Sequence, residues 1–167
     1  MDPAGRVDDG RHDFDFIFGD WTIHNRKLRD VIDRGCEEWV EFASTSHAEP
    51  IFRGLAHIDR IDAGPDTPGG PWEGLTLRQF DPQQRLWRIW WASSRNPGHV
   101  DPPLSGRFTN GIGVFIGDDC LDGRPIKLRF YWTTPEAGRA RWTQEFSYDE
   151  GDTWHPNWTM DFTKARP

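Results

Sequence analysis

The chain has 167 residues, a formal net charge of −7 and a mean hydropathy of −0.77. That length suits one domain, and the acidic balance argues against a surface built for nucleic acid or for an anionic membrane. Two cysteines make neither a disulfide framework nor a zinc site, no apolar run reaches the roughly 18–20 residues of a membrane span, and the start lacks a signal peptide's apolar stretch, so the expected location is a reduced cytoplasm.

Residues 1–12 read as a flexible N-terminus ahead of one domain over 13–167. The stretch DFDFIF predicts a short helical turn able to plug one end of a barrel. From FGDWTI onward the chain alternates polar and apolar residues in short runs. These are DWTIHNRKLRDVID, EEWVEFASTSHAE, FRGLAHIDRIDA, WEGLTLRQFD, RLWRIWWASSR, SGRFTNGIGVFIG, PIKLRFYWTT, RARWTQEFSY and TWHPNWTMDFT. Turn signals separate them: DRG, EP, GPDTPGGP, DPQQ, NPGHVDPP, GDDCLDGRP, PEAG and DEGD. No long amphipathic helix interrupts the series. The fold class is therefore all-β, a single antiparallel barrel of about nine strands with a short N-terminal helical turn. Closure into a barrel removes the exposed sheet edges. Ten Trp and eleven Phe suit strands with one dry face and one wet face. The loop SRNPGHVDPPLS, residues 94–105, is expected at the barrel mouth. Gly111-Ile-Gly113 reads as a bulge or bend inside a strand.

The octapeptide SYDEGDTW, residues 147–154, fits the Asp-box Ser-x-Asp-x-Gly-x-Thr-Trp of sialidase propellers. A propeller needs several repeated blades, and this chain is too short and carries the motif once. The physics that survives is local. Asp149 is suited to accept backbone N–H groups, and Gly151 takes positive φ without steric cost. The octapeptide is read as a hairpin between two strands.

Gly19 and Trp21 in FGDWTI form the Gly-x-Trp of lipocalin-type barrels. With FDFIFGDWTIHNRKL, GLTLRQFDP, LWRIWWASSR, DPPLSGRF, GIGVF and RWTQEFSYDEGDTWHPNWTMDF in order, the chain resembles a bacterial family of lipocalin-like proteins of unknown function, from about Phe14 to Phe162. The resemblance implies a calycin-like β-barrel and no established reaction. It also favours an inward Arg78, and it gives His57 as a departure from an expected Asn.

In a strand, residues i and i+2 share a face. By that parity Trp91 and Arg95 face inward with Trp87 and Ile89, and Trp142 and Gln144 face inward on a later run. Trp158 lies on the inward face of the last. The expected pocket is walled by Trp and Phe, with Arg78 and Arg95 among them. Each buried Arg must meet a carboxylate such as Glu41 or Asp59, stack on a ring, or await a ligand. His57 and Asp59 share a face, which makes the pair a candidate acid–base couple. His24 and Arg26 read as outward. No motif selects a metal, a haem-ligating His or another cofactor, and none is expected.

Two functions of different class follow. One is a cofactor-free cyclase, isomerase or lyase on a small, partly apolar, anionic or carbonyl-bearing substrate. His57 and Asp59 would move a proton, and Arg78, Trp91, Arg95, Trp142, Gln144 and Trp158 would bind. The other is a carrier or sensor of the same sort of molecule. A third reading is sugar binding by stacked Trp. The protein is expected as a monomer or homodimer.

Overall fold

A computed structural model describes residues 8–166. Ten antiparallel strands close into one barrel: β1 (Gly19–Leu28), β2 (Trp39–Ile51), β3 (Ala56–Ala63), β4 (Trp72–Asp81), β5 (Leu86–Ser93), β6 (Leu104–Thr109), β7 (Ile112–Leu121), β8 (Arg124–Glu136), β9 (Arg139–Ser147) and β10 (His155–Lys164). Each strand pairs with its sequence neighbours, and β1 pairs with β10 to close the ring. The architecture is lipocalin-like, an up-and-down barrel. Among the described residues no helix is long and apolar enough to cross a membrane.

The tenth strand comes from dividing SGRFTNGIGVFIG. Asn110 and Gly111 both take positive φ, 51° and 77°, between Thr109 and its partner Ile112. That is the geometry of a two-residue hairpin, for which Asn-Gly is a strong signal. Gly111 is thus a turn and not a bulge. The expected break at Glu49-Pro50 also moves: β2 runs through both, and the chain turns at Phe52, Arg53 and Gly54, all with positive φ.

Alternation sets the inside. Trp21, Ile23 and Asn25 of β1 are buried, while Thr22, His24 and Arg26 are exposed. On β4 the buried set is Trp72, Gly74, Thr76, Arg78 and Phe80, which leaves Leu75 to solvent. A 3-10 turn over Asp15–Ile17 plugs one end. Phe14, just before it, is sealed from solvent among the rings of Trp87, Phe108, Phe115 and Trp132. Burial of such a side chain contributes about 1.5–3 kcal/mol. The Trp21 indole donates to the Ile17 carbonyl at 2.7 Å, and the Trp87 indole to the Gly10 carbonyl at 3.0 Å. Of the segment expected to be flexible, residues 1–7 lie outside the described residues; Gly10 is held at the plug.

The octapeptide joins β9 to β10 at the opposite, open end. Asp149 accepts from the Ser147 hydroxyl at 2.8 Å, the Thr153 amide at 2.8 Å and the Thr153 hydroxyl at 2.5 Å. Gly151, at φ 96°, donates its amide to the Ser147 hydroxyl oxygen.

Candidate functional site

Between the plug and the open end lies a cavity of about 250 Å³. Its walls are aromatic and aliphatic, with Trp91, Trp142, Trp158 and Trp132 prominent, and its polar groups are few: Thr76, Arg78, Gln144, Asp101 and Asp119. Apolar walls with a few convergent polar groups are the usual form of a small-molecule site, and this volume falls just below the roughly 300–1,000 Å³ usual for the class. Gly74 shapes one wall. A Cβ there would stand 2.0 Å from the Trp91 ring, so only glycine lets that indole lie against β4.

Arg78 marks the deep end. Its neighbour across the β3–β4 ladder is His57, and Asp59 is one diagonal step away. Arg78 Nη1 donates to Asp59 Oδ2 at 2.6 Å and approaches His57 Nε2 at 3.3 Å. A guanidinium only donates, so Nε2 accepts and the imidazole proton sits on Nδ1. Burial, then the Arg78 charge, push the His57 pKa down to about 2. The ring is neutral under ordinary conditions. Phe14, Phe18 and Trp87 surround it, and it does not line the cavity.

Four buried polar atoms have no hydrogen-bond partner among the described residues: His57 Nδ1, Asp59 Oδ1, Arg78 Nε and Trp132 Nε1. They form one neighbourhood, because the Arg78 guanidinium carbon is 5.3 Å from the Trp132 ring centroid and 5.2 Å from that of Phe14. Buried donors and acceptors are normally satisfied, so such a cluster requires an explanation. Arg78 and Trp132 are both cavity walls.

The residues expected in the pocket divide as follows. Arg78, Trp91, Trp142, Gln144 and Trp158 line the cavity; His57 and Asp59 lie behind Arg78, joined through it. Arg78 pairs with Asp59, and Glu41 is on the exposed face of β2. Arg95 is corrected. It is exposed, and its Nη2 donates to the carbonyls of Pro68 and Gly70. Strand β5 ends at Ser93 and the chain turns, so parity counted from Trp87 no longer applies at position 95.

Gln144 donates to Asn157 at 2.9 Å, and the Trp158 indole donates to Asn25 at 3.0 Å. At the mouth, the 94–103 loop brings Asp101 and Pro102 into the wall, anchored by the Asp101 amide on the Trp91 carbonyl at 2.8 Å. Burial and the nearby Asp119 charge raise the Asp101 pKa, against the opposing influence of His99. Asp101 is signalled only through its loop, expected at the mouth, and Asp119 and Trp132 carry no sequence signal for this site. Three different elements bring them together, and only the closed barrel reveals it.

Among the described residues no group of three or more His, Cys, Asp or Glu is placed to hold a metal ion. No protein-family model matches the chain, and no curated protein matches it.

Proposed function

We propose that the barrel binds a small, mostly apolar, uncharged molecule that carries a carbonyl or ether oxygen at its inner end. The observation that carries this is that two residues of the cavity wall, Arg78 and Trp132, each hold a buried donor without a partner, Nε and Nε1. An oxygen between them would satisfy groups that otherwise cost free energy to bury. Charge selects among oxygens. Asp59 already balances Arg78 and His57 is neutral, so the deep cluster has no net charge. A carboxylate would enter uncompensated, which disfavours it.

Binding without chemistry takes precedence over a cyclase, isomerase or lyase driven by His57. An imidazole with a pKa near 2, outside the cavity wall, is a poor proton carrier at neutral pH. Membership of the bacterial lipocalin-like family belongs to the same proposal; the ordered motifs and the closed barrel support it.

Tryptophan fluorescence tests the reading with 4-methoxyacetophenone, its hydrocarbon analogue 4-ethyltoluene, and 4-methoxybenzoate. The ketone is expected to bind tightest, by about fivefold or more, roughly 1 kcal/mol. Trp132→Phe should erase most of that preference. Equal affinities for ketone and hydrocarbon, or no saturable binding of either, would remove it.

A further inference from the structure

Strands β3, β4 and β5 carry an apolar patch on the outside of the barrel. Ile58, Leu77 and Trp90 form one cross-strand row, and Leu75 and Ala92 belong to the next. Leu75 is 42% exposed, and the other four are half-buried at positions that alternation turns away from the core. Apolar residues scattered singly on a surface are ordinary, whereas an adjoining set marks an interaction face. Charge is divided along the strands. Beyond Leu75, towards the open end, Asp62 and Glu73 stand opposite each other across the β3–β4 ladder. Like charges in that position are destabilising. Among the described residues neither carboxylate has an ion pair, although Arg60 is nearby on β3. Beyond Leu77, towards the plugged end, the outward charge is Arg88, with Arg53 and Arg85 in the two adjoining turns. Arg88 meets Asp81 at 3.1 Å, yet its side chain stays 32% exposed. Arg53 and Arg85 are exposed, and among the described residues neither is ion-paired.

We propose that a second copy of the chain docks on this face, forming an antiparallel two-fold dimer. The axis crosses the strands between Leu75 and Leu77. Leu75 of each copy then covers Leu77 of the other, and the Asp62–Glu73 end of each meets the Arg88 end of the other. An axis along the strands would instead set acid against acid and base against base. Charge therefore selects one of the two self-complementary arrangements, and the unrelieved pair of carboxylates gains its cations. Polar neighbours bound the patch: His47 and Glu49 of β2 on one side, and Ser105 of β6 on the other. Trp90 is the aromatic anchor of the contact. Glu73 to Gln79 spans about 20 Å of strand, and three strands are about 10 Å across. That is small for a specific interface, so the dimer is weak and reversible.

Sedimentation equilibrium of the full chain, from about 5 µM to about 500 µM at low salt, tests this. The expected result is a reversible monomer–dimer equilibrium; a monomer at every concentration overturns the proposal. Leu75→Glu changes an exposed side chain that the core does not use, and it should weaken association by about tenfold or more. Self-association that Leu75→Glu leaves unchanged lies on another face and also overturns it. Charge exchange tests the orientation. Glu73→Arg places cations at both ends of the face, and Arg88→Glu places carboxylates at both, so each variant alone should be monomeric where the wild type dimerises. Mixed in equal amounts, the two should associate, because every basic end then meets an acidic one. Failure to associate on mixing, with both variants folded by near-UV circular dichroism, overturns the antiparallel arrangement. Should Arg88→Glu unfold through loss of its contact with Asp81, Arg85→Glu in the adjoining turn takes its place in the same mixing experiment.

Discussion

Arg78 and Asp59 form an ion pair at 2.6 Å with both side chains almost completely withdrawn from solvent, and Arg78 is the one member that reaches the cavity wall. Breaking a buried pair by removing one partner leaves an uncompensated charge, which costs about 3–5 kcal/mol. Arg78→Met should therefore destabilise strongly in urea. Arg78→Met combined with Asp59→Leu should recover most of the loss, because two apolar side chains replace two charges. A double variant no more stable than Arg78→Met alone would show that the cost is packing and not charge. Either way the ketone preference disappears, since the donor is gone.

His57 makes stability depend on pH in a defined direction. Its folded pKa is about 2, against 6.5 for an ordinary imidazole. Between those values the unfolded chain binds a proton that the folded chain does not, so stability falls as pH drops below about 6.5. The slope from this residue is about 1.4 kcal/mol per pH unit. His57→Asn removes the titration. Urea unfolding at pH 7 and pH 5 should show wild type losing about 2 kcal/mol more than the variant over that interval. Equal losses would mean that the imidazole is protonated in the folded barrel.

Gly74 and Trp91 are coupled by contact. A methyl at position 74 would stand 2.0 Å from one ring carbon and 2.6 Å from the next, so the indole must swing away. Overpacking of this kind costs about 1–3 kcal/mol. Gly74→Ala should lower stability by that amount and weaken 4-methoxyacetophenone, since Trp91 shapes the cavity. Trp91→Leu in the Gly74→Ala background should restore stability but not affinity. A Gly74→Ala protein with unchanged stability and Trp emission would contradict the contact.

Local alternation carried most of the fold and about half of the site. Parity put Trp87, Ile89 and Trp91 on one face of β5 correctly, because that strand is regular as far as Ser93. It failed at Arg95, two residues past the strand end, where the chain has turned. Asn110-Gly111 was legible as a hairpin but lay inside a run that reads apolar on both sides. Arg78 was ambiguous from its own strand, since Leu75 and Leu77 look like the drier face. Only the burial of Trp72 and Phe80 on the same strand decides it. The pairing of Arg78 with His57 depends on the β3–β4 register, and the free indole of Trp132 depends on β8. Neither is written in any short window of sequence.

The octapeptide separates structure from function most simply. Asp149 accepts three hydrogen bonds within the β9–β10 hairpin, and the Thr153 contacts, followed by Ser147, hold its carboxyl down to about 2. Its hairpin closes one corner of the open end, and no residue from 147 to 154 lines the cavity. Asp149→Ala should lower the Tm by about 5 °C, in keeping with the loss of several local bonds in a domain of this size. Binding of 4-methoxyacetophenone below the melting range should not change. The stabilisation is also acid-sensitive. A carboxylate with a lowered folded pKa stabilises above its ordinary value near 3.8 and loses that effect as pH falls towards 2, so wild type and Asp149→Ala should converge in Tm at the acid end. If Asp149→Ala keeps its Tm but loses the ketone, the octapeptide is part of the binding surface and the hairpin explanation of its Asp-box pattern is wrong.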